Sequence, residues 1–321
     1  MWRAVVRVLR SPAQAWPSPV RLLRSPVEDV SCALFPSVCR LCNQPLLHLS
    51  ASPVCHACWR TLSAQTSALC SLCGEALDIQ PGFQRLEPPD TLFPESLCAL
   101  CERARPPFVQ AAAYGVYQDS LRALIHLLKY ERVRSVAAPL GALLAQTIAQ
   151  MPGLPDSLTV VAVPLHPGKE RQRGFNQTIL LAEAAIAALR QQREKAQDAR
   201  LPRLTPALRG LGRQRATESQ SGLSVAQRRR NLRGAFFAAK PEQIAGHDIL
   251  LLDDIYTTGA TARACTSALL HAGATSVHVA TLARSQRDSI ALWDAPAAST
   301  HAWNLSASPR STEVCRTLAP S

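Results

Sequence analysis

From residue 106 onward the apolar positions alternate between two periods. Val109 to Tyr117 reads as a first strand after the break at Pro106-Pro107. Leu121, Leu124, Ile125 and Leu128 then recur at helical spacing and leave Arg122, His126 and Lys129 on the opposite face. A second helix is expected from about residue 136 to 150. Thr159 to Val163 reads as a buried strand that stops at Pro164, and Phe175, Ile179, Ala182, Ile186 and Leu189 form the stripe of another helix. A strand near Leu204, a strand at Ile249 to Leu252, an Ala-rich helix from Ala262 to Ala272 and a strand at Ser276 to Leu282 complete the pattern. Four apolar residues in a row at 249–252 suit a strand buried on both faces, as parallel sheets require. The alternation predicts an α/β domain over 106–288, a parallel sheet flanked by helices.

The chemistry gathers where that buried strand ends. Asp253 and Asp254 follow it directly, and open α/β sheets bind ligands at this carboxyl edge. Thr257, Thr258, Gly259, Ala260 and Thr261 then make a short turn into the next helix. Backbone N–H groups and hydroxyls at a helix N-terminus cradle a phosphate. Two carboxylates would repel that phosphate, so they are expected to face vicinal ribose hydroxyls or a magnesium ion. A diol beside a 5′-phosphate is the outline of phosphoribosyl pyrophosphate, and Asp253 and Asp254 are the first candidate catalytic residues.

Two basic segments bear on the same edge. Residues 165–177 are expected to form a loop at the carboxyl end of a strand; its cations Lys169, Arg171 and Arg173 are placed to neutralise a pyrophosphate leaving group, against the alternative of a surface charge cluster. Residues 213–236 are polar, basic and long, which in a compact domain points to a lid or binding loop. Lys129, Arg228 and Asn231 are candidate substrate contacts.

Cysteine usage adds a second module. Eight of the 11 cysteines form four Cys-x-x-Cys pairs: Cys39/Cys42, Cys55/Cys58, Cys70/Cys73 and Cys98/Cys101. Two pairs make one tetrahedral thiolate site, so residues 31–105 are expected to hold two structural zinc ions. Sequential pairing is simplest, and a cross-braced pairing stays open. Disulfides compete with this reading, but no export signal is evident and a reduced compartment keeps thiols free. Such a module buries little apolar surface, so metal would supply its folding energy.

Charge is uneven. Lys and Arg number 35 against 23 Asp and Glu, a net +12, and 190–233 alone carries 12 basic and 3 acidic residues, a net +9. A local basic excess implies an anionic partner, pyrophosphate or a nucleic-acid backbone. That stretch contains no Phe, Tyr or Trp on which bases could stack. Residues 1–30 read as a basic, disordered arm and 289–321 as an irregular tail. Arg7 interrupts what would be the apolar core of a signal peptide, and no apolar run is long enough to span a membrane, so a cytoplasmic protein is expected.

The stretch Asp253-Asp254-x-x-Thr257-Thr258-Gly259-x-Thr261 resembles the sugar-diphosphate signature of type I phosphoribosyltransferases. Together with Leu34-Phe35-Pro36, the cysteine pairs, His126-x-x-Lys129-Tyr130, Val163-Pro164 with Arg171, Arg173-Gly174-Phe175-Asn176-Gln177 and Gln220 to Phe236, it resembles the ComF/GntX family of competence-associated proteins over about residues 30–284. The resemblance implies Asp253 and Asp254 at the ribose, Thr257 to Thr261 at the 5′-phosphate, and Arg171 and Arg173 at the pyrophosphate. Two functions follow as expectations. One is a magnesium-dependent phosphoribosyltransferase with an unidentified acceptor and a role in DNA uptake. The other is a non-enzymatic single-stranded DNA-binding or regulatory factor, working with DNA-uptake proteins, that keeps the fold. Purine-salvage members place an aspartate base where this chain has Thr257, which counts against a purine acceptor.

Overall fold

The computed structural model describes residues 37–46, 52–77, 96–198, 200–214 and 234–286. The chain divides into two compact units, the first ending at Leu62 and the second beginning at Ser63. The division falls inside the cysteine-rich region.

The first unit contains one cysteine knuckle. Cys39 N–H donates to Gln44 O (2.8 Å) and Asn43 N–H to Cys39 O (2.9 Å), while Val38 bridges Pro45. A short helix, α1 (His56–Arg60), follows from Cys55. The second unit opens on a copy of the same knuckle displaced by 31 residues: Cys70 N–H donates to Glu75 O (2.7 Å), Gly74 N–H to Cys70 O (2.9 Å), and Leu69 bridges Ala76. Asn43 and Gly74 hold equivalent left-handed positions, at φ 58° and 68°. Asn tolerates that region nearly as Gly does, which is why one turn keeps its shape with either residue. Helix α2 (Ala99–Arg103) starts from Cys98.

The α/β body follows as β1 (Gln110–Val116), α3 (Asp119–Lys129), α4 (Ala137–Gln150), β2 (Ser157–Ala162), α5 (Pro167–Arg173), α6 (Gln177–Ala196), β3 (Arg203–Pro206), β4 (Leu211–Arg213), β5 (Phe236–Ala238), β6 (Asp248–Tyr256), α7 (Ala260–His271) and β7 (Ser276–Arg284). Five strands pair in the order β1-β7-β6-β2-β3, all parallel, while β4 and β5 form a separate antiparallel pair. Ile249, Leu250, Leu251 and Leu252 have no exposed surface. Burying each such side chain contributes about 1.5–3 kcal/mol, so this strand anchors the core. Alternate residues serve opposite faces. Ile249 and Leu251 pack with Val161, Val277, Val279 and with Cys265 and Leu269 of α7, whereas α4 and α6 cover the other face. Gly141 permits the close approach of α4 to α6, since a Cβ there would lie 2.3 Å from Ala184 Cβ.

Two elements differ from the expectation. Residues 167–173, expected as loop, form the helix α5, about two turns long. Pro167 stands at its first position, His166 Nδ1 accepts the Gly168 N–H (3.2 Å), and Gly174 closes it at φ 82°. Proline at the start and glycine past the end is the ordinary helix asymmetry, here on a segment too polar to show a stripe. The strand expected to end at Leu252 continues to Tyr256. On one side β7 pairs with it as far as Tyr256↔Arg284, but on the other β2 pairs only to Ala162↔Leu252. The acids therefore extend past their shorter neighbour, and a crevice opens beside them. Among the described residues no helix is long and apolar enough to cross a membrane. The arm 1–30, the tail 289–321 and candidates Arg228 and Asn231 lie outside the described residues.

Candidate functional site

Asp253 and Asp254 share a strand end but not an environment. Asp253 lines a small pocket with Thr257, Gly259 and Thr261, which is the juxtaposition the sequence predicted. Its Oδ1 accepts the Asp254 N–H at 2.8 Å. Burial, and next the charge of Asp254, push its carboxyl up to about 8. Asp254 is turned inward: its side chain is 6% exposed, Oδ1 pairs with Lys129 Nζ at 2.9 Å, and Oδ2 accepts Gln177 Nε2 at 2.7 Å. Burial works against the Lys129 ammonium, but Asp254 outweighs it and holds the pKa above its ordinary value. One of the twin acids thus meets the pocket, and the other secures a lysine from α3.

The threonine turn enters α7 through Gly259, whose φ is 73°. A glycine cap carries no side-chain acceptor, so the N–H groups of the first helical turn beyond Ala260 are open to a ligand or water. Thr258 Oγ1 makes a long 3.4 Å contact with Ala260 N, and Thr257, Thr258 and Thr261 are half-buried. Close packing explains the glycine further, since a Cβ on it would lie 2.2 Å from the Tyr256 hydroxyl.

Helix α5 carries Lys169, Arg171 and Arg173, and α6 begins at Gln177. Asn176 caps α6, accepting the Thr178 N–H (2.9 Å) and donating to Val163 O (3.2 Å), which pins the helix to the end of β2. Gln177 is thereby aimed at Asp254 and also accepts from Arg173 Nη1. Arg173 is half-buried, with its guanidinium 5.5 Å from the Tyr130 ring centroid; Arg171 is exposed. Lys169 has its pKa lowered by burial and then by Arg213, Arg173 and Lys129, so these cations stand close enough to repel one another. A cluster of that kind beside a carboxylate pair is suited to a polyanion bearing a cation-binding or hydroxyl face.

The roles of Gln177 and Arg213 were not legible from the pattern, whereas Lys169 was placed with Arg171 and Arg173. Gln177 was visible only as the residue after an Asn cap, and Arg213 only as one of many basic residues. A cavity of about 680 Å³ runs between β5 and α7 along Phe236, Phe237, Arg263 and Ser267, and contains none of the acids or threonines. We regard the smaller pocket as the site, because there the acid meets the threonine turn, and the charges of Lys129 and Arg213 act on that acid.

The eight paired cysteines form two tetrads in sequential order, Cys39, Cys42, Cys55, Cys58 and Cys70, Cys73, Cys98, Cys101, each with its sulfurs within 4.8 Å of one another. This decides between sequential and cross-braced pairing. Sulfur pairs Cys39–Cys58, Cys42–Cys55 and Cys73–Cys98 are 3.8, 3.7 and 3.7 Å apart. Thiolates about 2.3 Å from a zinc stand about 3.8 Å from each other, whereas a disulfide needs about 2.05 Å. Both tetrads therefore fit zinc. The second is wholly buried; in the first only Cys39 is.

A test of the Asp253 environment follows from its raised pKa. The folded protein holds this proton more tightly than the unfolded chain, so the associated stability is complete below the ordinary carboxylate range and is lost as pH rises to about 8. Thermal melts from about pH 5 to about pH 9 should show Asp253→Asn flattening this decline and raising the midpoint by several degrees at the alkaline end. A variant curve parallel to the wild type would refute the assignment.

Comparison with known proteins agrees with this architecture. A phosphoribosyl transferase domain model matches residues 208–309. The DNA utilization protein YhgH of Salmonella typhi is 32% identical over 253 residues, spanning 78% of this chain and 98% of that protein. Competence protein F of Haemophilus influenzae is 26% identical over 246 residues (74% of this chain, 93% of that protein). Competence protein ComFC of Bacillus subtilis is 27% identical over 234 residues (72% and 84%). With near-complete coverage of its relatives, paired cysteine tetrads and a phosphoribosyltransferase-type parallel sheet, the chain belongs to the ComF family.

Proposed function

We propose that the protein binds phosphoribosyl pyrophosphate with magnesium at the β6–α7 edge and transfers the phosphoribosyl group to an acceptor, in the service of DNA uptake. The observation that carries this reading is the single pocket shared by Asp253, Thr257, Gly259 and Thr261, with the charges of Lys129 and Arg213 acting on its acid and those of Lys169 and Arg173 close to them. The 5′-phosphate takes the N–H groups of the α7 turn and the threonine hydroxyls. Asp253, once deprotonated, accepts from the ribose hydroxyls or contributes to magnesium. One pocket-lining carboxylate suits magnesium, which keeps several waters and takes its remaining ligands from substrate phosphates. Bound there, the ion would offset the charge of the departing pyrophosphate.

Lys129, Lys169, Arg173 and Arg213 do the same from the protein side, where their charge stabilises the leaving group as positive charge builds on the sugar. Asp254 works through Lys129 and Gln177, holding one cation directly and, through Gln177, steadying Arg173. Candidates Arg228 and Asn231 belong to the segment expected to close over the diphosphate. The place in DNA uptake is supported by the names of the relatives, DNA utilization protein and competence protein.

Titration calorimetry with phosphoribosyl pyrophosphate and magnesium tests the reading. Wild-type protein is expected to bind, and Asp253→Asn/Asp254→Asn to lose about 100-fold or more in affinity, or about 2.7 kcal/mol. Absence of heat in the wild type, or equal binding by the double variant, overturns it. The second reading, a DNA-binding factor without catalysis, is favoured by the net +9 over 190–233. It predicts that the same double variant binds a labelled single-stranded oligonucleotide as the wild type does.

A further inference from the structure

The two cysteine tetrads are built from one repeated knuckle, and the second, inside the same compact unit as the α/β body, is joined to its site. Arg284, the last residue of β7, is 4% exposed. Its Nη1 donates to Cys73 O at 2.6 Å, and its Nη2 donates to Cys73 Sγ at 3.5 Å and pairs with the Glu75 carboxylate. The same guanidinium lies 4.4 Å from the centroid of the Tyr256 ring. Tyr256 ends β6, packs edge-on against Phe108, and sets its hydroxyl against Gly259 so closely that no Cβ fits there.

A second tie reaches the same place by another route. Arg263, one turn into α7, donates to Ala104 O (2.8 Å) and Arg105 O (3.0 Å), just beyond Cys101 and helix α2. Ala111 N–H also donates to Leu72 O (2.9 Å), inside the knuckle. Cys70, Cys73, Cys98 and Cys101 share one buried cluster with Tyr256, Ala260, Ala262 and Cys265. In the first knuckle the position equivalent to Glu75 is Gln44, which is uncharged, so the ion pair is peculiar to the second copy.

From this we infer that the second tetrad is the footing of the Thr257–Thr261 turn, and that Arg284 is the positioning residue joining the two. Four thiolates around a dication carry a net charge of about −2, which is costly to bury. An N–H donor to sulfur and a guanidinium at the knuckle offset that charge, and such outer partners commonly govern metal affinity. Because the guanidinium also lies against Tyr256, metal at Cys70, Cys73, Cys98 and Cys101 fixes the wall on which Gly259 rests. The inference rests on the proposed function only in calling this turn a phosphate site.

Zinc release and hydrogen exchange on the full chain test it, with no sugar diphosphate present. Released zinc is followed with a coloured chelator, and exchange is read at 256–262 and, as an internal reference, at 250–252. Arg284→Lys keeps the charge but loses the forked donation. It should retain both zinc ions, release one of them about 10-fold faster, and exchange about 10-fold faster at 256–262 with 250–252 unchanged. Cys58→Ser should lose one zinc and leave 256–262 as in the wild type, whereas Cys101→Ser should lose one zinc and loosen that turn. If Cys101→Ser does not fold, the comparison of Arg284→Lys with Cys58→Ser decides. Wild-type release and exchange in Arg284→Lys, or a turn loosened equally by Cys58→Ser, overturns the inference. Failure of phosphoribosyl pyrophosphate to bind would remove the proposed function and leave this coupling standing.

Discussion

Lys129→Met should destabilise the protein by about 3–5 kcal/mol, the usual cost of removing one member of a buried ion pair. The Lys129 side chain is 14% exposed and that of Asp254 6%, with Nζ 2.9 Å from Oδ1. Methionine keeps the volume of the side chain and removes its charge. Among the described residues Asp254 then keeps the Gln177 hydrogen bond, which compensates one oxygen of the carboxylate. Asp254→Asn leaves the Lys129 ammonium without its carboxylate partner but should cost less, because the charge of Asp253 also acts on that ammonium. Adding Asp254→Asn to Lys129→Met removes both charges and should therefore recover most of the loss. Urea unfolding of the two single variants and the double gives the coupling directly. A cost below about 1 kcal/mol for Lys129→Met, or strict additivity, would mean the pair is solvated and weak. In that case Asp254 would be free to face a ligand.

Gly259→Ala should be nearly as damaging, and for two separable reasons. The residue sits at φ 73°, where an L side chain is strained by about 1–2 kcal/mol. In addition, its Cβ would lie 2.2 Å from the Tyr256 hydroxyl and 2.6 Å from the ring carbon bearing it. Tyr256 cannot swing away easily, because Phe108 and Arg284 hold its ring. Gly153 provides the control. It has φ 62° but nothing within 4 Å of the added Cβ, so Gly153→Ala isolates the backbone term. We expect about 1–2 kcal/mol for Gly153→Ala and about 3 kcal/mol or more for Gly259→Ala, read from chemical denaturation. Equal costs would show that the wall formed by Tyr256 is soft.

Most of the sheet was legible because parallel strands covered by helices on both faces must be apolar at successive positions. Ile249 to Leu252 and Thr159 to Val163 satisfy that requirement without help from context. The turn at Thr257 to Thr261 was legible because glycine and hydroxyls before an Ala-rich helix are a local signal. Helix α5 was missed because its seven residues are nearly all polar and bury no stripe, so periodicity had nothing to register. Its proline and glycine were the only marks.

The acids illustrate a different boundary. Their adjacency at a strand end can be read along the chain, and so can the strand's alternation, which sends neighbours to opposite faces. Which face is open cannot. β2 stops four residues short of the end of β6, and α3 and α6 bring Lys129 and Gln177 to one carboxylate and not the other. Those partners lie 125 and 77 residues from Asp254, as the numbering shows.

Residue order alone was enough for the strand and helix alternation, the threonine turn and the four cysteine pairs, since each depends on spacing within a few residues. Sequential tetrads, the inward turn of Asp254 and the Arg284 tie between knuckle and turn came from the folded chain. They depend on charges and donors that meet only after the sheet has closed, and burial at that moment determines which of them must be paired.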